Sequence, residues 1–298
     1  MKNLIAKLSQ YHIPFCTEEP LSRHTTFRIG GPAEVMAFPR TAGELSTLFR
    51  AAKQAGIAPV ILGAGSNVLA PDEGKRGLVI CTRDCLCSVR RLDDTSICVS
   101  AGVLMSKAAV FARDLGLAGM EFAHGIPGTV GGGIYMNAGA YGGELVQIAE
   151  KTTFMNFDGE ITEYVGQAQG LGYRTSAFQA MDGLILETIF RLTPGNIEEI
   201  TEKMQELAAR RRASQPLDMP SAGSTFKRPQ GGYAAALIEG AGLKGQGVGG
   251  AQVSVKHAGF VVNTGNATEK DVLDTIEMIQ ARVYAASGIL LEPEVKRL

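Results

Sequence analysis

In the first half of the chain, segments with apolar residues at helical spacing alternate with short continuous apolar segments. The spacing is helical in AGELSTLFRAAKQAG, whereas APVILG, GLVICT and TSICVSAG are short apolar segments typical of buried strands. Helical spacing returns in VLMSKAAVFARDLGL. The pattern predicts a first helix that buries Leu45, Leu48, Phe49 and Ala52, and a second that buries Leu104, Ala108, Phe111 and Leu115.

The middle of the chain predicts a hairpin followed by a long helix. Asp158 and Gly159 lie between two alternating segments, KTTFMNF and EITEY, which is a strong hairpin signal. GLILETIFRL predicts another strand, and an amphipathic helix is expected over residues 197–212. Pro216 and Pro220 follow closely, and because proline cannot continue a helix, they predict a domain boundary at residue 214.

Beyond this boundary helices and strands are mixed again. GGYAAALIEGAG predicts a short helix, and AQVSVKHAGFVVN predicts an interrupted pair of strands. A longer helix is expected between the cap residues Thr268 and Gly288, followed by a final strand in ILLEPEVKRL. The inward face of this longer helix is predicted to consist of Val272, Ile276, Ile279 and Val283.

Composition excludes several classes of protein. The chain has 298 residues, which corresponds to roughly two domains of about 150 residues. An apolar content of 45% and a charged content of 20% are ordinary for a globular protein, so disordered and fibrous classes are excluded. The net charge of −1 provides no general attraction to nucleic acid or to a membrane surface. The basic run 210–212 ends the predicted helix, where cations suit the helix dipole.

The cysteine count and the N-terminal segment bear on the compartment. Five cysteines, an odd number, fit a reducing compartment better than a disulfide framework. The segment MKNLIAKLSQYHIPF lacks the continuous apolar stretch of a secretory signal, and no run of about 18 apolar residues occurs in the chain. We therefore expect a cytosolic protein without a membrane, nucleic-acid or obligate protein partner.

One segment is unusually rich in glycine. In GIPGTVGGGIYMNAGAYGG, residues 125–143, eight of nineteen residues are glycine. Glycine inside a helix or strand costs about 0.5–1 kcal/mol relative to alanine, so we expect a loop rather than a regular element. Such a loop is either an ordinary surface connection or a backbone that a ligand approaches closely.

A second glycine-bearing segment, ILGAGSNVLAPDEGKRG, adjoins a predicted strand. A Rossmann turn requires a glycine or alanine at the position of Val68 and a following helix, which Pro71 and Gly74 interrupt. The nucleoside-triphosphate loop motif is also absent from the sequence. The remaining interpretation is a tight turn that presents backbone N–H groups to an anion, with Ser66 and Asn67 as additional hydrogen-bonding residues.

Six motifs in order resemble the family of UDP-N-acetylenolpyruvoylglucosamine reductases: HTTFRIGGPAE, LGAGSNVL, GIPGTVGGGIYMNAGAYGGE, GYRTSAF, AGSTFKRP and LEPEV. The resemblance covers about residues 22–297 and is closest to the shorter subtype, which lacks an additional substrate loop. It implies an α+β fold with two FAD-binding subdomains of the vanillyl-alcohol-oxidase type, 1–90 and 91–213, followed by a substrate-binding domain, 214–298.

The resemblance also implies cofactors. FAD is bound non-covalently by the two glycine segments, and NADPH is the hydride donor that reduces it. Flavin N5 then transfers hydride to C3 of UDP-N-acetylglucosamine enolpyruvate, which yields UDP-N-acetylmuramate. The implied FAD contacts are Gly63, Ala64, Gly65, Ser66, Asn67, Gly125, Pro127, Gly128, Thr129, Gly132, Asn137 and Gly139.

Three residues match the catalytic positions of the family. Ser224 corresponds to the donor of a proton to C2, and Arg174 to the arginine that binds the enolpyruvyl carboxylate, for which a guanidinium is well suited. Glu294 matches the third residue through the PEV motif, although Glu292 would share its face of an ideal strand. We expect the carboxyl group of Glu294 to be protonated or hydrogen-bonded when it acts.

The expected substrate contacts are weaker. The family commonly has asparagine where this chain has Arg228, so that contact does not transfer, although an arginine could bind a UDP phosphate. The candidates are Lys227, Arg228, Arg211 and Gln215.

Other reactive side chains receive a structural interpretation. Cys81, Cys85 and Cys87 lack a fourth ligand nearby and are interpreted as strand residues, so no metal site is expected. His124 precedes the glycine segment and is interpreted as a loop histidine bonded to backbone rather than a covalent flavin anchor. Two alternative functions remain at this point: a flavin oxidase of the same fold, and a non-catalytic nucleotide-binding protein.

Overall fold

The computed structural model describes residues 1–83 and 85–298, which form two compact units. Unit 1 consists of residues 1–17, 35–64 and 77–210, and unit 2 consists of 18–34, 65–76 and 211–298. The expected substrate-binding segment 214–298 lies within unit 2. The three-part division at residues 90 and 213 stays a prediction.

Helices and short strands alternate along the described residues. The helices are α1 Lys2–Gln10, α2 Ala42–Gln54, α3 Met105–Asp114, α4 Val130–Tyr135, α5 Ile197–Ser214, α6 Ala234–Gly240 and α7 Glu269–Ser287. The strands are β1 Phe15–Pro20, β2 Pro32–Ala37, β3 Val60–Leu62, β4 Val68–Leu69, β5 Lys75–Cys81, β6 Val89–Arg91, β7 Ser96–Ser100, β8 Leu117–Ala118, β9 Gly139–Ala140, β10 Gly143–Glu144, β11 Ala149–Asn156, β12 Ile161–Val165, β13 Gly183–Arg191, β14 Thr193–Pro194, β15 Gly247–Val248, β16 Ala251–Val253, β17 Val261–Asn263 and β18 Lys296–Arg297.

The main sheet of unit 1 is antiparallel, with strand order β12-β11-β13-β7-β6. One hydrophobic cluster contains Ile97 of β7, Phe154 of β11 and Phe190 of β13 together with Ala108 and Ala112 of α3. The helix therefore buries its small-residue face in the same core as the sheet. The predicted hairpin is confirmed, because β11 and β12 pair on either side of Asp158 and Gly159.

A second sheet has the order β1-β2-β5-β3, in which β3 and β5 are parallel. The cluster beside it includes Leu4 and Leu8 of α1 and Val35 of β2. The predicted inward face of α2 is confirmed, because Leu45, Leu48, Phe49 and Ala52 are all buried in this cluster.

Unit 2 is built around a small antiparallel sheet, β15-β16-β17, and α7. The pair β16–β17 confirms the strands predicted in AQVSVKHAGFVVN. The limits of α7 were also predicted correctly: Thr268 caps its first turn, and Gly288 follows it with φ +72°. The predicted inward residues Val272, Ile276, Ile279 and Val283 are buried.

Three local predictions are wrong. Leu104 lies before α3 as its N-cap, and the buried residues of the helix are Met105, Ala108, Ala109 and Ala112, so that of the predicted face only Ala108 is fully buried, whereas Phe111 and Leu115 are partly buried against the same core. The glycine-rich segment is not only loop, because residues 130–135 form α4 and residues 139–144 form a short hairpin. The final strand has only two residues, because Pro293 has no N–H group and contributes a single bridge to Phe226.

In the part of the chain that the structure describes, no helix is both long and apolar enough to cross a membrane.

Candidate active site

The first glycine segment is a turn between β3 and β4. Gly65 has φ +60°, and a Cβ there would collide with the backbone carbonyl of His24, so only glycine fits. The backbone N–H groups of Ala64, Gly65 and Ser66 donate no hydrogen bond within the described residues. Consecutive N–H groups in such a turn are suited to binding an anion, and the anion site at this turn stays a prediction.

The second glycine segment contacts the first near its beginning. A Cβ on Gly63 would lie 2.5 Å from Oγ1 of Thr129, so this glycine lets the two segments touch. Thr129 is buried, and its hydroxyl accepts a hydrogen bond from Gly132 N at 3.4 Å, which caps α4. This cap is one reason why a helix forms despite three consecutive glycines.

Most glycines of the second segment approach the protein itself. A Cβ on Gly131 would lie 2.8 Å from Ala101 Cβ, one on Gly139 would lie 2.7 Å from Gly143 O, and one on Gly143 would collide with the Phe122 ring. These three glycines are therefore required for packing within the protein, and the FAD contacts implied for this segment stay predictions. Gly132 differs, because its Cβ would meet only Thr129 Oγ1, at 3.5 Å.

Asn137 connects the second segment to the following loop. It is fully buried with φ +42°, a conformation that asparagine tolerates better than most residues. Its Nδ2 donates to Gly172 O at 2.9 Å and to Glu144 Oε2 at 3.3 Å, and its Oδ1 accepts from Val146 N at 2.9 Å. These bonds fix the side chain within the protein, and the predicted FAD contact of Asn137 stays a prediction.

Arg174 lies in the tight turn that Asn137 anchors. Gly172 and Thr175 exchange both backbone hydrogen bonds across the turn, and Arg174 has φ +54°. A left-handed residue other than glycine stores about 1–3 kcal/mol of strain, which is common at functional sites. The guanidinium lies 5.0 Å from the Tyr173 ring centre and donates from Nη2 to Gly139 O at 3.3 Å. Two predicted site residues, Arg174 and Gly139, are therefore neighbours.

Ser224 lies on a rigid backbone in unit 2. Gly223 precedes it with φ +77°, and the buried Thr225 follows it. Thr225 N donates to Gly259 O at 2.8 Å, and Thr225 Oγ1 accepts from Val261 N at 3.0 Å. The Ser224 side chain is exposed. Thr225 therefore fixes the backbone, and the Ser224 hydroxyl remains accessible to solvent.

The C-terminal segment pairs with the residues that follow Ser224. Glu294 N donates to Thr225 O at 2.8 Å, and Lys227 N donates to Glu292 O at 2.9 Å. The Lys227 ammonium also forms an ion pair with the Glu292 carboxylate. Asn67 of the first glycine segment donates from Nδ2 to Glu294 O at 3.2 Å. Unit 2 therefore brings together the backbones of three predicted sites, at Asn67, Ser224 and Glu294.

The remaining predicted residues are distributed over both units. Arg228 is exposed and stacks 4.5 Å above the Tyr233 ring, and Arg211 is half-buried near the end of α5. Gln215 has a buried Oε1 without a hydrogen-bond partner among the described residues. Pro127 is exposed, Gly125 ends a short 3₁₀ helix, and Gly128 O accepts from Met105 N at 2.9 Å.

Two structural interpretations need correction. His124 was expected to bond to backbone, but its Nδ1 is buried without a partner among the described residues. Of the three clustered cysteines only Cys81 lies in a strand, β5, whereas Cys85 and Cys87 lie in the connection after it. The supporting role of Thr225 was missed, because a buried threonine beside a serine has no distinct signal in the sequence.

Comparisons with known proteins match two parts of the chain. Residues 33–164 match a family model described as an FAD binding domain, and residues 215–298 match the UDP-N-acetylenolpyruvoylglucosamine reductase C-terminal domain. The chain is 48% identical over 280 residues to the UDP-N-acetylenolpyruvoylglucosamine reductase of Caldanaerobacter subterraneus, covering 93% of this chain and 91% of the relative.

Solved structures give the same result. The reductase of this name from Thermus caldophilus matches with a TM-score of 0.80 and 33% identity, covering 96% of this chain and 98% of that one. A glucooligosaccharide oxidase from Acremonium strictum matches with a TM-score of 0.50 and 14% identity, covering 94% of this chain and 58% of that one, which shows a shared fold alone.

The residues present fit FAD. The unpaired N–H groups of residues 64–66 suit a pyrophosphate, because backbone donors bind an anion without requiring a cation. Gly63 precedes them directly, and its lack of a side chain leaves room for the Thr129 hydroxyl. The buried, unpartnered Nδ1 of His124 is a further polar atom that lacks its partner in the protein alone.

Proposed function

The chain belongs to the family of UDP-N-acetylenolpyruvoylglucosamine reductases, and we propose that it reduces UDP-N-acetylglucosamine enolpyruvate to UDP-N-acetylmuramate with NADPH as hydride donor. It is a flavin-dependent oxidoreductase of peptidoglycan precursor synthesis. The two glycine segments would hold FAD, which would supply the hydride-transfer chemistry between the nicotinamide and C3 of the enolpyruvyl group.

Ser224 is the proposed proton donor to C2. Its hydroxyl is exposed. The adjacent residue Thr225 fixes the backbone, because its N–H donates to Gly259 O and its buried hydroxyl accepts from Val261 N. A serine is a weak acid in water, but C2 becomes strongly basic as hydride reaches C3. A positioned O–H can therefore complete the reduction, and general acid catalysis of this kind contributes about 10²–10⁴ in rate.

Arg174 is proposed to bind the enolpyruvyl carboxylate. Its strained backbone and its contact with Gly139 O hold the guanidinium at the edge of the second glycine segment. A guanidinium forms paired hydrogen bonds with a carboxylate and stabilises the negative charge that spreads onto it during reduction.

Glu294 is proposed to orient the substrate beside Ser224. Its backbone is bonded both to Thr225 O and to Asn67 Nδ2, so the position of its side chain is tied to the proton donor and to the first glycine segment. Lys227, Arg228, Arg211 and Gln215 stay proposed contacts for the UDP-sugar.

The pairing of 225–227 with 292–294 is the observation that carries this proposal, because it joins two family motifs that are about 70 residues apart in the sequence. Stopped-flow oxidation of the NADPH-reduced enzyme tests it. We expect rapid oxidation by the enolpyruvyl nucleotide and slow oxidation by oxygen. Rapid oxidation by oxygen with no response to the nucleotide would instead favour the flavin oxidase alternative.

We also propose that the protein acts in the cytosol. Its five cysteines are all free thiols, which fits a reducing compartment. Fractionation of cells that express the chain tests this: the protein is expected with the soluble cytosolic markers, and recovery in the membrane or secreted fraction would contradict it.

A further inference from the structure

His124 has a buried polar atom that the protein does not satisfy. The residue lies in the short 3₁₀ helix Glu121–Gly125, immediately before the second glycine segment. Its Nδ1 is buried and has no hydrogen-bond partner within residues 1–83 and 85–298. Buried side-chain nitrogens are rarely left unpaired in native proteins, so a missing partner indicates a group that the polypeptide does not provide.

Polar side chains close to His124 in the sequence, and Arg113, have partners of their own. Oε2 of Glu121 accepts from Gly119 N at 2.9 Å, and Oγ1 of Thr129 accepts from Gly132 N at 3.4 Å. The Arg113 guanidinium donates to Asp114 at 2.9 and 2.7 Å. Burial, and secondarily the positive charge of Arg113, lower the pKa of His124, so the ring is neutral at pH 7. A neutral ring offers one donor and one acceptor, so Nδ1 pairs with a hydrogen-bond acceptor or donor according to its tautomer.

We propose that FAD supplies this partner: His124 Nδ1 forms a hydrogen bond with the bound cofactor. Only Ile126 and Pro127 separate Gly125, the end of the 3₁₀ helix, from Gly128 and Thr129, which are implied FAD contacts. FAD carries donors, such as its hydroxyl groups and the flavin N3–H, and acceptors, such as the flavin carbonyls and phosphates. The same contact fixes the tautomer of the ring.

The test uses the full chain with and without FAD, and it has two variants. His124→Asn keeps a polar atom at the position of Nδ1, whereas His124→Phe keeps a ring of similar size without one. We expect His124→Phe to bind FAD about 5- to 30-fold more weakly, the effect of losing one buried hydrogen bond, and His124→Asn to bind nearly as well as the original chain. FAD affinity is measured by quenching of flavin fluorescence during titration of the apoprotein.

Two further measurements separate this contact from a structural role. Thermal unfolding of the apoprotein should be unchanged or slightly improved in His124→Phe, because the variant removes a polar atom that is unsatisfied without FAD. In the original chain, the ¹⁵N resonance of His124 Nδ1 should shift when FAD binds.

The proposal is overturned if His124→Phe destabilises the apoprotein and leaves FAD affinity unchanged. It is also overturned if the ¹⁵N resonance does not move on addition of FAD. Should the phenylalanine variant fail to fold, the resonance in the original chain decides alone. None of these measurements involves turnover of the nucleotide substrate, so they are independent of the proposed function.

Discussion

The second glycine segment and the Ser224 segment meet different physical requirements. Around residues 125–143 polar side chains are buried and engaged, with Asn137 and Thr129 as examples. Around Ser224 the buried polar side chain is that of Thr225, and the side chains of Ser224 and Arg228 are exposed. The second glycine segment is therefore held by buried side chains that bond within the protein, whereas the Ser224 segment presents accessible side chains from a fixed backbone.

The largest expected effect tests the exposed region. Ser224→Ala removes the proposed proton donor without touching a buried group, so reduction by NADPH should be nearly unchanged. Oxidation of the reduced enzyme by the enolpyruvyl nucleotide should slow by about 10²–10⁴. Single-turnover stopped-flow absorbance of each half-reaction measures this, with Ser221→Ala as a control on the same segment. An equal loss in both half-reactions would assign Ser224 a structural role.

The next effect tests the buried side chains of the second glycine segment. Asn137→Ala removes three hydrogen bonds and places alanine at φ +42°, which should lower the free energy of unfolding by about 3 kcal/mol. Denaturant unfolding measures this, with Ser224→Ala as the control that should stay within about 0.5 kcal/mol of the original chain. If Asn137→Ala were equally stable and lost only FAD affinity, Asn137 would be a cofactor ligand rather than a residue that holds the segment.

A third change isolates the open N–H groups of the first glycine segment. Ser66→Pro removes one of them, and loss of a hydrogen bond to a charged phosphate should weaken FAD binding about 10- to 100-fold. Ser66→Ala keeps the N–H group and serves as the control. Titration of the two apoproteins with FAD measures the difference, and equal affinities would show that this N–H group does not contact the cofactor.

The smallest expected effect is a loss of folding stability at low pH through His257, which lies beside the support of the Ser224 backbone. Gly259 accepts from Thr225 N and donates to His257 Nδ1 at 3.1 Å. Burial lowers the pKa of His257, so the unfolded chain binds its proton more tightly, and stability should be lost as the pH falls below about 6.5.

The pKa of His124 is lowered as well, so protonation of His124 should also reduce stability as the pH falls. His257→Asn keeps an acceptor but does not titrate, so its stability should fall less steeply between pH 7 and 5 than that of the original chain. The difference cannot exceed about 1.4 kcal/mol per pH unit, the limit for one proton. Denaturant unfolding at several pH values measures the slopes, and identical slopes would contradict the assignment to His257.

Much of the fold could be predicted from local patterns. The faces of α2 and α7 and the hairpin at Asp158 and Gly159 follow from side-chain periodicity and turn chemistry, which depend on nearby residues. Helix α4 could not be predicted, because its glycines oppose a helix. It forms because Thr129 caps it and because Val130 and Ile134 are buried in the core of unit 1.

The site was predictable in its motifs and not in its contacts. The six motifs identify the family and both glycine segments, but the bonds that join Asn67 to Glu294 and Arg174 to Gly139 connect residues distant in sequence. The unpartnered Nδ1 of His124 is equally a property of three-dimensional packing, and a single sequence carries no signal for it.

Anaerobic titration of the purified protein tests the central claim most directly. Addition of NADPH is expected to bleach the flavin absorbance, and subsequent addition of the UDP-enolpyruvyl sugar is expected to restore it with formation of UDP-N-acetylmuramate. A colourless protein that does not take up FAD, or a reduced flavin that the UDP-enolpyruvyl sugar leaves bleached, would contradict the account.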